Sequence, residues 1–187
     1  MSMTEWKQKR RHMLHYNCIA HLYNTRYAEE QTPKIAVSVA TVSPLMEDSV
    51  LDLGCGTGLL ISRLRILTKN VVGLDISKDM LKDIDSTIRR ATNVHLVLAD
   101  ADFVPLRKNA FDAVFAITLL QNMPNPKQTL REMRYAAKHD ASIIVTGLKK
   151  RFSENAFRKL FENTKLKTEL LNTVANLNCY VAACHEA

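Results

Sequence analysis

From about residue 48 onward, short blocks of apolar residues alternate with stretches whose apolar positions recur every three or four residues. The first pattern reads as buried strands and the second as amphipathic helices. Residues 50–53 predict a first strand. Leu59, Leu60, Ile61, Leu64, Ile66 and Leu67 then predict a helix that stops near Asn70. Residues 71–74 predict a second strand, and Ser77 caps a helix presenting Met80, Leu81, Ile84 and Ile88. Strands follow at 94–99 and 111–118, the latter almost continuously apolar. Asn125-Pro126 is a cap followed by proline at the first helical position, opening a helix to about Lys138. Residues 142–148 predict a fifth strand, and Ser153 begins a helix burying Ala156, Phe157, Leu160 and Phe161. Two further strands are expected at 166–174 and 179–185. The first 45 residues are helical in pattern.

This reads as five β-α repeats closed by a pair of strands. Such alternation specifies an α/β fold, a doubly wound and mostly parallel seven-stranded sheet with helices on both faces. The last strand, reached by a short turn, is expected to run antiparallel. The chain divides into an N-terminal helical segment, 1–45, and a core, 46–187, within one domain overall. Its 187 residues suit that size.

Composition excludes other classes. With 47% hydrophobic and 24% charged residues, the chain is neither disordered nor fibrous. No apolar run approaches the ~18 residues needed to cross a bilayer, and no secretory leader follows the basic N-terminus, so a cytoplasmic protein is expected. Cys18, Cys55, Cys179 and Cys184 lack paired metal-site spacing and read as reduced, buried thiols, with no metal expected. Cys179 and Cys184 should face opposite sides of their strand. The net charge of +7 is uneven, concentrating near residues 7–11 and 149–167. Basic edges of this kind suit a polyanionic partner.

The chemistry gathers at the ends of the first three strands. Asp52 precedes Gly54-Cys55-Gly56-Thr57-Gly58, a glycine-rich turn that lets a ligand approach the backbone. Asp75 ends the next strand, where a carboxylate can accept both ribose hydroxyls. Asp100 ends the third, placed to read an adenine amino group. A dinucleotide site would want G-x-G-x-x-G. Here the spacing is G-x-G-x-G, and the acid before it suits a cationic amino group better than a phosphate. The combination points to an adenosyl cofactor carrying an amino acid.

With these residues the sequence resembles the class I S-adenosylmethionine-dependent methyltransferases. VLDLGCGTG at 50–58, VVGLDISKDML at 71–81, LADA at 98–101 and the stretch from FDAV at 111 to MPNP at 126 correspond to its motifs. The resemblance implies that Gly54, Cys55 and Gly56 line the methionine moiety and that Asp52 holds its amino group. It also implies that Asp75 binds the ribose, that Ile76 and Met80 flank the adenosine, and that Asp100 and Ala101 face the adenine. Residues 16–27 resemble the family's Y-D-x-x-A-x-x-Y-D segment, a helical lid. Tyr16 and Tyr23 would then contact the cofactor, with Tyr27 near the substrate and Asn17 and Asn24 standing where acids are common. Thr118 is expected at the cofactor, and Gln121 and Asn122 at the substrate. No catalytic residue is assigned, although His21 and His95 are the nearest candidate bases.

The resemblance implies a methyltransferase using S-adenosylmethionine. RNA, as tRNA or rRNA held by the basic edges, is the leading expectation for the substrate. A small molecule is the alternative, and a non-catalytic regulatory subunit a further one. A small zinc-binding activator protein is an expected partner.

Overall fold

The computed structural model describes residues 2–171 and 177–187. A 40-residue helix, α1 (Met3–Val42), leads into β1 (Ser49–Leu53), α2 (Ile61–Leu64), β2 (Asn70–Asp75), α3 (Lys78–Asp83), α4 (Ser86–Arg89) and β3 (Val94–Leu98). Then follow β4 (Phe111–Ala116), α5 (Pro126–Ala136), β5 (Ala137–Leu148), α6 (Glu154–Leu160), β6 (Leu166–Leu170) and β7 (Cys179–Glu186). They form a seven-stranded sheet in the order β3-β2-β1-β4-β5-β7-β6. β1 lies parallel to β2 and β4, β2 to β3 and β4 to β5, while β7 runs antiparallel between β5 and β6. The expected fold class is the one observed.

Strand periodicity sorts the core onto two faces. Leu51, Leu53, Val114, Ala116, Ile143 and Val145 pack on one side with α5 residues Leu130 and Met133. Val50, Ala113, Phe115 and Ile144 pack on the other with Ile61, Leu64 and Ile84. Burial on both faces explains why these strands read as continuous apolar runs. Cys184 and Cys179 fall in opposite clusters, as the pleat requires. Asp52 shares its face with Val50.

Several elements differ from those expected. Residues 99–110 form a loop, so four strands rather than five are followed by a helix. The helix after Ser77 breaks at Ile84, which is extended at ψ 131°, because Asp85 caps a new helix by accepting from the Thr87 amide. After the glycine turn only Ile61–Leu64 is regular α-helix. α5 stops at Ala136, and β5 starts at Ala137, five residues before Ser142, with a register shift against β4 between Phe111 and Ala113. β3 and β4 stop at Leu98 and Ala116, and β6 at Leu170; the expected strand residues 172–174 lie outside the described residues. Cys55, Cys179 and Cys184 are buried, but Cys18 is exposed; all four are free thiols.

The chain runs β1, β2, β3 outward to one edge and then returns to place β4 on the other side of β1. This reversal opens a crevice at the carboxyl ends of the strands. α1 lies across it. Its C-terminal part is anchored by buried Lys34, Ile35 and Ser38, whereas its N-terminal part buries only Lys9 and Ala20 before Gln31.

Candidate functional site

The glycine turn is built from positive backbone angles, φ 77° at Gly54 and φ 54° at Gly56, which side-chain-bearing residues rarely adopt. The amides of Gly54 and Cys55 both donate to the Leu74 carbonyl, and the Gly58 amide donates to that of Cys55. The Gly56 amide donates to Asp75 Oδ2 at 2.8 Å. Hence these four N–H groups are spent inside the protein. A pyrophosphate needs such donors, so these four amides do not serve as a diphosphate cradle.

Asp75 also accepts from the Ser77 amide at 2.8 Å. Burial raises its carboxyl, while the amides of Ser77, Gly56 and Ile76 oppose that shift. Asp52 is 2% exposed, and its Oδ2 has no hydrogen-bond partner among the described residues. Burial, with a contribution from the Asp75 charge, pushes its carboxyl up to about 8. A buried acceptor without a donor is costly. A cationic group placed there would satisfy it.

Beyond these acids lies a single open cleft. Gly54, Gly56, Asp75 and Ile76 form part of its wall, with Met80, Asp100 and Ala101 further along. Tyr16 and Tyr23 roof it from α1, and Thr118 and Asn122 border it from the segment after β4. A smaller adjoining pocket, sharing Tyr23, Gly54 and Gly56, holds Asp52 and Cys55. The structure therefore brings most of the expected residues together. Tyr27 and Gln121 are exceptions. Tyr27 packs on the Tyr23 ring with centroids 4.9 Å apart, and Gln121 turns its amide onto the Thr118 carbonyl. Neither lines the cleft.

A row of polar contacts fastens α1 over the strand ends. Asn17 Oδ1 accepts from Ser77 Oγ at 2.6 Å, and Asn24 Oδ1 from Thr57 Oγ1 at 2.6 Å. Gln31 Oε1 accepts from Thr118 Oγ1 at 2.9 Å, and Asn122 donates to the Tyr16 hydroxyl at 2.9 Å. Asn17, Asn24 and Gln31 are seven apart, hence on one helical face. Thr118 adopts φ 59°, which ends β4 early and aims its hydroxyl at the helix.

Three cleft residues of α1 were not singled out as site residues in the sequence. Lys9, assigned there to a basic edge, is 4% exposed and points inward, its Nζ 2.6 and 2.7 Å from the two Asp100 oxygens and 2.6 Å from Asp102 Oδ2. His12 and Met13 also line the cleft. Burial, with the charges of Arg11, Arg151 and His15, holds the His12 imidazole below its ordinary value. The candidate bases His21 and His95 are exposed and do not line it. The helical stripe Lys9-Met13-Tyr16-Ala20-Tyr23 carried the missed signal, since its spacing places Lys9 and Met13 on the tyrosine face. No helix among the described residues is long and apolar enough to cross a membrane, and no cluster among them has the makings of a metal site.

A sheet of this order with acids at successive strand ends around one cleft defines the class I methyltransferase fold. The chain matches the methyltransferase domain family over residues 51–145, just over half its length, and belongs to that family, the class I S-adenosylmethionine-dependent methyltransferases. It is 33% identical over 132 residues to the protein MJ1252 of Methanocaldococcus jannaschii, covering 71% of this chain and 49% of that one. It is 37% identical over 101 residues to a demethylmenaquinone methyltransferase of Shouchella clausii, covering 51% and 43%. The chain thus spans about half the length of the curated relatives it matches. Its fold also superimposes on a chain of the Haloferax volcanii complex formed with the Trm112 methyltransferase activator, with a TM-score of 0.76 at 15% identity over 91% of this chain and 97% of that one.

The cofactor of this family is S-adenosylmethionine, and the residues present fit it. Asp52 offers an unpartnered Oδ2 to a cationic amino group, Asp75 retains acceptor capacity for hydroxyls, and the amides of Gly54, Cys55, Gly56 and Gly58 are already spent inside the protein.

Proposed function

We propose that the protein transfers a methyl group from S-adenosylmethionine to a small molecule with an apolar body. The observation that carries this reading is the unpartnered Asp52 carboxylate beside a single cleft that also gathers Asp75 and Asp100. The walls of the cleft include the apolar side chains of Met13, Ile117, Leu119 and Met123, as small-ligand sites typically do. The relative named for demethylmenaquinone methylation supports a small-molecule acceptor.

When bound, the cofactor supplies an electrophilic methyl group on a sulfonium. Asp52 would hold its amino group, Asp75 its ribose, and Ile76 and Met80 its adenosine. The tyrosine roof would exclude water, and holding two reactants in line can lower a barrier by about 7–11 kcal/mol. His12, kept neutral by its surroundings, is the cleft residue suited to accept a proton from a hydroxyl acceptor.

RNA is the second reading. It is favoured by the exposed Lys149, Lys150 and Arg151 that follow β5, and weakened by the inward Lys9. A small zinc-binding activator remains a proposed partner, at the open β3 edge where Leu98 and Phe103 are exposed; the Haloferax volcanii complex supports it. Calorimetry with S-adenosylmethionine tests the cofactor, and Asp75→Ala should abolish most of the binding. Unchanged binding in that variant would overturn the assignment. Transfer of labelled methyl groups to a metabolite extract, and not to tRNA or rRNA, is the outcome expected for the acceptor.

A further inference from the structure

We infer that Lys9 is a built-in competitor for the cofactor's adenine site, so that S-adenosylmethionine enters only as Lys9 leaves Asp100 and moves onto Asp102 alone. The inference rests on the cofactor reading above.

Lys9 sits on α1, far from Asp100 in sequence, yet its ammonium contacts both oxygens of Asp100 and one of Asp102. Asp100 Oδ1 accepts in addition from the Asp102 amide at 3.0 Å. A carboxylate has about four acceptor positions, and three are in use. The adenine amino group, a neutral donor, would face an ion pair whose charge-assisted hydrogen bonds are about twice as strong as neutral ones. Both Lys9 and Asp100 line the cleft, so the ammonium stands where the base must approach.

Asp102 is suited to receive the displaced charge. It is 4% exposed, its Oδ1 is fixed by Thr129 Oγ1, and its Oδ2 already touches Lys9. The ammonium also lies 5.5 Å from the Phe103 ring, which favours a cation on that side. Lys9 can therefore yield Asp100 without losing its counter-charge.

Removing Lys9 and removing the Asp102 charge are expected to have opposite effects. Lys9→Met removes the competitor and should tighten binding of S-adenosylhomocysteine, measured by calorimetry, by about tenfold, the gain when a closed state favoured about ten to one is abolished. Asp102→Asn keeps the acceptor for Thr129 but removes the alternative seat, and should weaken binding. The double variant should match Lys9→Met alone. Trp6, the only tryptophan of the chain, stands one turn from Lys9 and is 43% exposed. Its emission should shift to the red in Lys9→Met without any cofactor, reporting release of the helix. Weaker binding in Lys9→Met would make Lys9 part of the cofactor's own site and overturn the competition. Unchanged affinity would overturn it as well, whatever Trp6 does. If neither wild type nor variants bind S-adenosylhomocysteine, the cofactor reading falls and takes the competition with it, while the Trp6 shift still reports whether Lys9 holds the helix.

Discussion

Asp52 is the residue at which fold stability and ligand binding oppose each other. Its carboxyl is pushed up to about 8 in the fold, well above the ordinary value of 3.8. The folded protein therefore holds a proton that the unfolded chain releases, and stability declines as pH rises from the ordinary carboxylate range through about 8. Asp52→Asn should flatten the dependence of melting temperature on pH and stabilise the free protein most at alkaline pH. A bound ammonium would favour the ionised carboxylate. Cofactor binding near pH 7 should thus release about one proton, measurable by calorimetry in buffers of different ionisation enthalpy. His12 makes the second prediction at this scale. His12→Asn should lower kcat about a hundredfold, the low end for loss of a general base, with little effect on cofactor affinity. In the wild type, activity should fall only as pH drops below the ordinary histidine value, because burial holds this imidazole low. A wild-type pH profile retained in His12→Asn would refute the role.

Among the elements, α1 differs most from a helix packed on a core. Its face over the cleft is fastened by Asn17, Asn24 and Gln31 rather than by an apolar stripe. Each such hydrogen bond contributes about 0.5–1.5 kcal/mol. Asn24→Ala should lower global stability by about 1 kcal/mol, yet accelerate amide exchange across residues 10–30 far more than in β1 or β4. Equal acceleration in the strands would show that α1 opens only with the whole fold. The strands were legible because burial on both faces leaves continuous apolar runs, as at Phe111–Ala116. The extent of the helices after β1 and β2 was not, since Leu59 to Leu67 and Met80 to Ile88 keep helical spacing although turns and the Asp85 cap interrupt it. Periodicity reports which side chains face inward and is blind to such breaks. The acids and glycines of the site were legible from position alone. Lys9 was not, because a lysine among Lys7, Arg10 and Arg11 carries the marks of a solvated surface, and only the distant carboxylates of Asp100 and Asp102 turn it inward.

At the scale of the whole molecule, the returning connection that places β4 beside β1 brings the ends of four strands to one crevice. Lys9 lines the cleft, whereas the lysines and arginines of the basic C-terminal edge lie around it rather than within it. Lys149, Lys150, Arg151, Arg158, Lys159, Lys165 and Lys167 are all exposed, and Arg158 is partly neutralised by Glu154 at 2.8 Å. For a small-molecule acceptor, reversing Lys149, Lys150 and Arg151 to glutamate should leave turnover within about twofold, and added salt should change it little. A steep loss of activity between low and physiological salt, removed by the same substitutions, would favour a polyanionic acceptor.

The fastenings of α1 also have an order. Read from its N-terminal end, they meet the loops after β3, β2, β1 and β4 in turn: Lys9, Asn17, Asn24, Gln31. The helix buries more of its C-terminal part, so its sparsely buried N-terminal turns part first and the nucleobase half of the crevice is bared before the amino-acid half. A departing product would then loosen its base first, still gripped by its charged tail, and could be recaptured until the last of these contacts parted.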